Sequence, residues 1–386
     1  MLRGARFHDD KDYSACSIFG MMNVRGEKFN GESMIVAIAN MKERSNGLGG
    51  GFAAYGIYPQ YADLYCFHMM FDDQVARKEV EEYLEGYFSL EGSEVIPTRN
   101  TPGVDEPPIL WRYFLQSRES VLDETEDVDD FVVQAVMHMN AAIDGAFVFS
   151  SGRNMGVFKG VGFPEDIGRF FRLEEYEGYQ WTAHGRFPTN TQGWWGGAHP
   201  FNILDWSVVH NGEISSYGIN LRYLEMYGYK CTLHTDTEVV AYAVDLLMRR
   251  HGLSVRTMSN VLAAPLWAEI DRMPPGDKVL HTALRQTYGS LLLNGPFSVI
   301  ISNSRQMIGL TDRIRLRPLV AGRNGDVTYI SSEEASMHLV DDTLEDTWIP
   351  HGGEPIVAEL EEEYPAGKEL GEGAEVKELF GSTDAV

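Results

Sequence analysis

The segment "DYSACSIFG", residues 12–20, determines how the rest of the chain is interpreted. Its cysteine, Cys16, follows fifteen residues that show no recognisable pattern. Cys16 is therefore either an ordinary buried thiol or the first residue of the working protein. The chemistry of the other segments has to decide between these two possibilities.

Composition limits the possible classes of protein. The chain has 386 residues, of which 44% are hydrophobic, enough for one large domain or two smaller ones. Its 57 acidic and 32 basic residues give a net charge of −25, which disfavours binding to nucleic acid or to an anionic membrane. The N-terminus lacks the apolar region of a secretory signal, and no run of about 18 apolar residues exists. We therefore expect a cytoplasmic protein without a membrane span.

Metal and cofactor sites are not expected. The three cysteines have no CxxC spacing, which excludes a structural zinc site, an iron–sulfur cluster and a disulfide framework. Cys66 and Cys231 are therefore interpreted as small buried residues. Four histidines stand near loops or strand ends without HExxH or HxH spacing, so hydrogen bonding is favoured over metal binding. They are His184, His199, His210 and His234. The glycines of "GLGGGF", 47–52, indicate a tight turn rather than a phosphate-binding loop.

The hydrophobic pattern mixes helices with antiparallel strands. It predicts helices over 72–88, 130–143 and 237–250, and β-hairpins over 145–160, 297–310 and 317–332. Residues 91–128 are interpreted as a surface excursion, and 351–386, with ten acids and two lysines, as a solvated tail. Antiparallel sheets with helices outside them predict the α+β class.

Residues 184–201, "HGRFPTNTQGWWGGAHPF", have no clean period and are typical of a binding loop. Arg186 offers a two-pronged cation and Thr189 a hydroxyl, which together suit a carboxylate. The alternative is a surface loop with a structural arginine, which we consider less favourable.

Two further segments offer polar groups for chemistry. In "WSVVHNGEIS", 206–215, the amide of Asn211 and the backbone N–H of Gly212 could hold an oxyanion, although Asn-Gly alone favours a hairpin turn. In "HTDTEVV", 234–240, Asp236 lies in the first turn of a helix that begins with a capping box. It could bind an ammonium group, but on its own it is better explained as a stabilising first-turn acid.

Taken together, these segments resemble a class II glutamine amidotransferase, the type with an N-terminal nucleophile. The motifs stand in the family's order: Cys-x-Ile-Phe-Gly at 16–20, Arg-Ser-Asn-Gly at 44–47, Arg-Phe-x-Thr at 186–189, His-Asn-Gly-Glu-Ile at 210–214 and Thr-Asp-Thr-Glu at 235–238. Within the family, the likeness is greatest to the glutaminase domain of glutamate synthase. "LTDRIRLRP" at 310–318 and "YISSEEAS" at 329–336 also resemble that enzyme. The resemblance covers roughly residues 16–340.

The resemblance implies a four-layer αββα fold over residues 16–350 and a role for each motif. Cys16 would be the nucleophile and its own α-amino group the base, so residues 1–15 would be a propeptide. Asn211 and Gly212 would form the oxyanion hole. The substrate pocket would contain His210, with Arg186 and Thr189 holding the α-carboxylate of glutamine and Asp236 its α-ammonium group.

The leading hypothesis is a glutaminase subunit that delivers ammonia to a separate synthase subunit, as in a split glutamate synthase. Two alternatives stay open from the sequence. The protein could be a regulatory subunit that binds glutamine without turnover, or an N-terminal-nucleophile acylase that acts on another amide. The paired charges of Arg186 and Asp236 favour an amino-acid substrate over a simple amide.

Overall fold

A computed structural model describes residues 16–122, 127–187 and 193–361 of the chain. The predicted propeptide, residues 1–15, lies outside these ranges, and so does Thr189. Cys16 is the first described residue, directly before the first strand.

The strands, in chain order, are β1 Ser17–Asn23, β2 Phe29–Asn30, β3 Gly50–Tyr55, β4 Tyr65–Phe71, β5 Phe88–Val95, β6 Ile109–Ser117, β7 Ala146–Ser150, β8 Met155–Gly160, β9 Glu177–Gly178, β10 Gln180–Gly185, β11 Phe201–Ile203, β12 Trp206–Gly212, β13 Phe297–Ser302, β14 Gln306–Thr311, β15 Val320–Asn324, β16 Val327–Ser331, β17 Asp346–Trp348 and β18 Ile356–Glu359.

The α-helices are α1 Glu32–Ala39, α2 Gln74–Tyr87, α3 Val128–Ala142, α4 Pro164–Phe170, α5 Tyr217–Glu225, α6 Asp236–Val244, α7 Val255–Leu262, α8 Trp267–Ile270, α9 Pro275–Thr287 and α10 Glu334–Val340. A π-helical segment, Asp245–Arg250, continues α6. The three predicted helices correspond to α2, α3 and α6 with its continuation, each with a side-chain N-cap that accepts backbone N–H groups.

Two antiparallel sheets form the centre of the molecule. The seven-stranded sheet has the order β17-β15-β16-β1-β10-β3-β8, and the five-stranded sheet has the order β11-β12-β13-β14-β18. They face each other where β1 and β10 contact β12, and Ile18, Val209 and Ile300 belong to the apolar cluster between them. Helices α1, α4 and α10 cover the seven-stranded sheet, and α6 covers the five-stranded sheet. This arrangement confirms the predicted α+β sandwich.

A third sheet was not predicted. It has four strands in the order β5-β6-β4-β7 and is covered by α2 and α3. Its strands β5 and β6 pair within residues 91–117, so the prediction of a surface excursion over 91–128 is wrong there. The prediction failed because the Pro-rich and acidic residues belong to the connection at 96–108, whereas β6 buries Tyr113, Phe114 and Leu115.

The predicted hairpin at 145–160 is also wrong. Strand β7 pairs with β4 in the four-stranded sheet, whereas β8 pairs with β3 in the seven-stranded sheet. The connection is held by other residues: Ser151 N–H donates to Asn202 Oδ1 at 2.8 Å, and Arg153 N–H donates to Asp205 Oδ1 at 2.8 Å. The other two predicted hairpins are confirmed as β13-β14 and β15-β16.

The segment predicted to be an acidic tail begins inside the fold. Ile356–Glu359 forms β18 at the edge of the five-stranded sheet, where it pairs with β14. Its alternating residues Ile356 and Ala358 are buried, a strand pattern that the surrounding acids obscure in the sequence. The predicted boundary at residue 350 is therefore too early, and the tail prediction over 362–386 lies outside the described residues.

Candidate active site

Cys16 lies beside the residues that follow β10. Strands β1 and β10 pair with Ser17 opposite Gly185, so Arg186 and Phe187 leave the sheet next to the half-buried thiol. The N–H of Phe187 donates to Cys16 Sγ at 3.3 Å. Burial raises the pKa of the Cys16 thiol above its ordinary value, although the Phe187 backbone and the charge of Arg186 act in the opposite direction. Near neutral pH this thiol therefore needs a base to become a nucleophile.

The glycine-rich turn makes room for Arg186. The Arg186 N–H donates to Gly49 O at 2.9 Å, and a Cβ atom on Gly49 would lie 2.9 Å from Arg186 Cδ. Gly49 also has φ +156°, which favours glycine, and its neighbour Ser45 donates its hydroxyl to Arg186 O at 3.2 Å. Only 4% of Arg186 is exposed. The turn predicted over 47–52 is therefore confined to residues 47–49, because Gly50 already begins β3. Residues 45–49 line one side of the Arg186 side chain.

Asn211 and Gly212 end strand β12 and do not form a hairpin turn. They pair with Ser298 and Phe297 of β13, so the hairpin alternative is wrong. Gly212 has φ +148°, and a Cβ atom there would lie 2.1 Å from Pro296 O, which only glycine avoids. Asn211 is fully buried, and its Nδ2 reaches Ser332 Oγ at 3.4 Å. Its Oδ1 has no hydrogen-bond partner among the described residues.

Asp236 is the first residue of α6 and points back toward the end of β12. Its Oδ2 accepts the N–H of Ile214 at 3.0 Å, and its Oδ1 lies 3.7 Å from His210 Nδ1. Burial opposes ionisation of this carboxyl, but the His210 ring and hydrogen bonds from the Ile214 and Thr237 groups outweigh it and hold the pKa below its ordinary value. Asp236 is therefore a stable, partly exposed anion near the thiol.

His184 and His199 are buried next to His210. The Nε2 of His184 donates to His210 O at 3.0 Å, and the His184 ring stacks on His199 with 3.9 Å between the ring centroids. His199 Nε2 lies 3.3 Å from Thr237 Oγ1, the hydroxyl that also contacts His210 Nδ1 at 3.1 Å. Burial lowers the pKa of His184 to about 3 and that of His199 well below its ordinary value. These hydrogen bonds agree with the predicted hydrogen-bonding role of His184, His199 and His210, whereas His234 is exposed.

Sequence reasoning missed Lys159 and Glu238, two fully buried charged side chains near the site. Lys159 Nζ donates to Gly196 O at 3.0 Å, and Glu238 accepts the N–H groups of Thr232 and Leu233 at 3.0 and 2.9 Å. Burial lowers the pKa of Lys159 to about 7 and raises that of Glu238 to about 7. The sequence did contain one signal for Lys159, which is a lysine among the apolar residues of β8.

The structure thus brings six of the seven predicted site residues to one edge of the sandwich. They are Cys16, Arg186, His210, Asn211, Gly212 and Asp236. The seventh, Thr189, lies outside the described residues, three positions beyond Arg186 in the sequence. Within the described ranges, no three His, Cys, Asp or Glu side chains are placed to hold a metal ion. No helix of the described chain is long and apolar enough to cross a membrane.

Comparisons with known proteins find relatives that align with half or more of the chain. The chain is 53% identical to an uncharacterized protein of Archaeoglobus fulgidus over 367 residues, 94% of this chain and 97% of that protein. It is 26% identical to an amidophosphoribosyltransferase of Methanocaldococcus jannaschii over 196 residues, which are 50% of this chain and 36% of that one. It is 22% identical to the large chain of an NADPH glutamate synthase from Azospirillum brasilense over 260 residues, 61% of this chain and 17% of that one.

The family model "Glutamine amidotransferases class-II" matches residues 54–364, most of the chain. The match includes Arg186, the Asn211-Gly212 pair and Asp236, and it begins after Cys16 and the 44–49 turn. A fold of two facing antiparallel sheets with these residues at one edge fits that family. The chain therefore belongs to the class II glutamine amidotransferases.

Proposed function

We propose that this protein is a glutaminase that hydrolyses glutamine to glutamate and ammonia with Cys16 as nucleophile. The observation that carries the proposal is the pairing of a buried cation, Arg186, with a partly exposed anion, Asp236, around one thiol. Both charges act on Cys16, the first lowering and the second raising the pKa of its thiol. A fixed cation and a fixed anion match the α-carboxylate and α-ammonium groups of an amino acid.

In this mechanism the Cys16 sulfur attacks the side-chain carbonyl carbon of glutamine. The negative charge that develops on the carbonyl oxygen is held by Asn211 Nδ2 and the Gly212 N–H. The C–N bond then breaks, and ammonia leaves with the proton that the thiol gave up. Water hydrolyses the thioester, which releases glutamate and restores the thiol.

The base in this proposal is the α-amino group of Cys16, whose pKa near 8 suits proton transfer at neutral pH. While residues 1–15 are attached, that nitrogen is an amide and is not basic. The raised pKa of the thiol makes the base necessary, because burial disfavours a spontaneous thiolate. Removal of residues 1–15 is therefore part of the proposal.

Arg186 and Thr189 hold the substrate carboxylate, and Asp236 holds the ammonium group. His210 was expected to contact the substrate, yet its Nδ1 faces Thr237 and Asp236. We therefore assign His210 to orienting the Asp236 carboxylate. Its buried Nε2 has no partner among the described residues, which leaves that nitrogen available to a ligand.

We further propose that the ammonia is passed to a separate synthase subunit, in a complex of the glutamate synthase type. The resemblance of the 310–318 and 329–336 segments to glutamate synthase supports this assignment. The acceptor would be tested by measuring whether glutamine, in the presence of the purified partner, replaces free ammonium in the amination reaction.

A combined experiment tests the glutaminase itself. Purified chain that begins at Cys16 is mixed with glutamine, and glutamate release is measured beside binding by calorimetry. Release that disappears in C16A while binding persists supports the proposal. Binding without release from the wild-type chain would instead favour the regulatory alternative. Release from simple acyl amides but not from glutamine would favour the acylase.

A further inference from the structure

The loop 312–319 crosses from the five-stranded sheet to the seven-stranded sheet beside the site. It begins at Asp312, whose N–H donates to Phe297 O at 2.9 Å and whose carboxylate accepts the N–H groups of Ile314 and Leu316 at 3.1 and 2.8 Å. Phe297 pairs directly with Gly212. The loop therefore starts next to the proposed oxyanion hole.

The strand register places the end of this loop level with Cys16. Val320 of β15 pairs with Ser331 of β16, and Ser331 pairs with Phe19 of β1. Both outer strands are antiparallel to β16, so they run in the same direction. Arg317 lies three residues before Val320, and Cys16 lies three residues before Phe19. Strands two places apart are about 10 Å apart, a distance that an arginine side chain largely spans.

The two segments enter the sandwich at the same level. Ile18 of β1 and Leu319, the last residue of the loop, both belong to the apolar cluster between the two sheets. Cys16 lies two residues before Ile18, and Arg317 lies two residues before Leu319. The pairing continues beyond the named strands, since Ser332 N–H donates to Ile18 O at 3.0 Å.

The guanidinium of Arg317 is partly buried, and its Nε is a buried donor without a hydrogen-bond partner among the described residues. Its charge lowers the pKa of the Cys16 thiol, as Arg186 also does, while Asp236 raises it. Arg44, also at this edge, is paired with Glu333 at 2.7 Å. Arg317 lies close enough for its charge to act on the thiol. Within the described ranges, no carboxylate lies within ion-pair distance of Arg317.

We propose that Arg317 is a positioning residue of the site, a second cation that favours negative charge on the Cys16 sulfur without contacting glutamine. Arg186 follows β10 on one side of β1, and Arg317 precedes β15 on the other side. The thiol proton moves to the base, and Arg317 shifts only that equilibrium. The proposal rests on the proposed function in one respect, the use of Cys16 as the nucleophile.

The test is the pH dependence of Cys16 alkylation by iodoacetamide, followed by the mass of the peptide that carries Cys16. Because only this peptide is followed, alkylation of Cys66 and Cys231 does not contribute to the measured rate. In Arg317→Gln we expect the midpoint to rise by about 0.5 to 1 pH unit and the rate at pH 7 to fall about 3- to 10-fold. Arg317→Lys, which keeps the charge, should stay close to wild type.

The matched control is Arg323→Gln, the same change on an exposed residue of β15. Arg323 lies six residues beyond Arg317, toward the far end of that strand. Its loss should leave the midpoint unchanged. If Arg317→Gln does not fold, Arg317→Met keeps the apolar part of the side chain and removes the charge.

If the alkylation midpoint of the Arg317 charge-loss variant equals that of Arg323→Gln, the proposal is overturned. Alkylation reports on the thiol itself and needs no turnover. A wild-type chain that fails to hydrolyse glutamine would therefore refute the proposed function and leave this test valid. An unshifted midpoint would refute the role of Arg317 even in an active glutaminase.

Discussion

The active-site edge and the four-stranded sheet each bury one asparagine, and the two asparagines are bonded differently. In the four-stranded sheet, Asn140 of α3 uses both ends of its amide: Nδ2 donates to Val148 O at 3.2 Å, and Oδ1 accepts the Val148 N–H at 2.7 Å. At the active-site edge, Asn211 makes one long contact through Nδ2, and its Oδ1 has no partner among the described residues.

Two buried histidines repeat this contrast. Both ring nitrogens of His68, on β4, are bonded: Nε2 to Tyr58 Oη at 2.9 Å and Nδ1 to Val157 O at 2.8 Å. His210 bonds through Nδ1, while its Nε2 has no partner in the part of the chain that the structure describes. A buried polar atom normally finds a partner, because leaving it unpaired costs about 1–3 kcal/mol.

In the proposed mechanism, this difference reflects two uses of buried polar groups. Asn140 and His68 join α3 and β4 to their neighbours. Asn211 and His210 would keep part of their hydrogen-bonding capacity for the bound substrate. The same residue type can therefore be assigned to stability in one region and to chemistry in the other.

The largest effect should come from the cysteines. Cys16→Ala in the chain that begins at residue 16 should lower glutamate release by about 10⁴-fold or more, because the nucleophile is lost. Cys66→Ala, a buried thiol of β4, should change stability and leave the rate per folded molecule near wild type. Equal activity of C16A and wild type, measured by glutamate release, would contradict the mechanism.

The two asparagines give the next effect. Asn211→Ala should lower kcat by about 10²- to 10³-fold with little loss of stability, since it removes a donor needed in the transition state. Asn140→Ala should lower the free energy of unfolding by about 2 kcal/mol and leave kcat unchanged, because the Val148 backbone groups lose their partner. Kinetics and denaturant unfolding of both variants check this. If Asn140→Ala lowered kcat and Asn211→Ala lowered only the stability, the contrast between the two asparagines would be refuted.

A smaller effect is expected at Asp236. Asp236→Asn keeps an acceptor for the Ile214 N–H but removes the charge that faces the ammonium group. Glutamine affinity should fall about 10- to 100-fold, as measured by calorimetry on the C16A background. Glutarate monoamide, which lacks the ammonium group, should show no such fall. A uniform loss for both ligands would mean that Asp236 is only structural.

The smallest effect on activity, but a defined effect on stability, is expected at Glu238. Its pKa of about 7 lies above the ordinary value of about 4.3, so the folded state binds the extra proton. The extra proton stabilises the folded state fully below about pH 4.3, and this stabilisation is lost as the pH rises through 7. The free energy of unfolding should fall by up to about 3 kcal/mol over that range. Glu238→Gln should remove this decline when unfolding is followed between pH 4.5 and 7.5. If the free energy of unfolding of Glu238→Gln fell with pH as steeply as that of the wild type, the pKa of Glu238 would not be the cause of the decline.

The resemblance named Arg186 and Asp236, and the structure brings both residues to one edge of the sandwich. The sequence pattern alone did not predict the third sheet or the separation of β7 from β8. The connection between β7 and β8 is bonded to Asn202 and Asp205, some fifty residues away. Periodicity contains no information about such distant partners.

The same limit explains the residues that were missed. Arg317 reaches the level of Cys16 only through the pairing of β15, β16 and β1, which brings together residues about 300 positions apart. Lys159 stands in an apolar strand, and its burial depends on the carbonyl of Gly196. Asn211-Gly212 was better explained as a turn from sequence alone, and only the pairing with β13 excludes it.

The most direct test of the central claim compares two forms of the chain, one beginning at Cys16 and one retaining residues 1–15, each verified by intact mass. The proposed mechanism predicts that the first releases glutamate from glutamine and that the second does not, because only the first has a free α-amino base beside the half-buried thiol. Equal release by a form whose mass still includes residues 1–15 would refute this mechanism, and the proton of Cys16 would then require another acceptor.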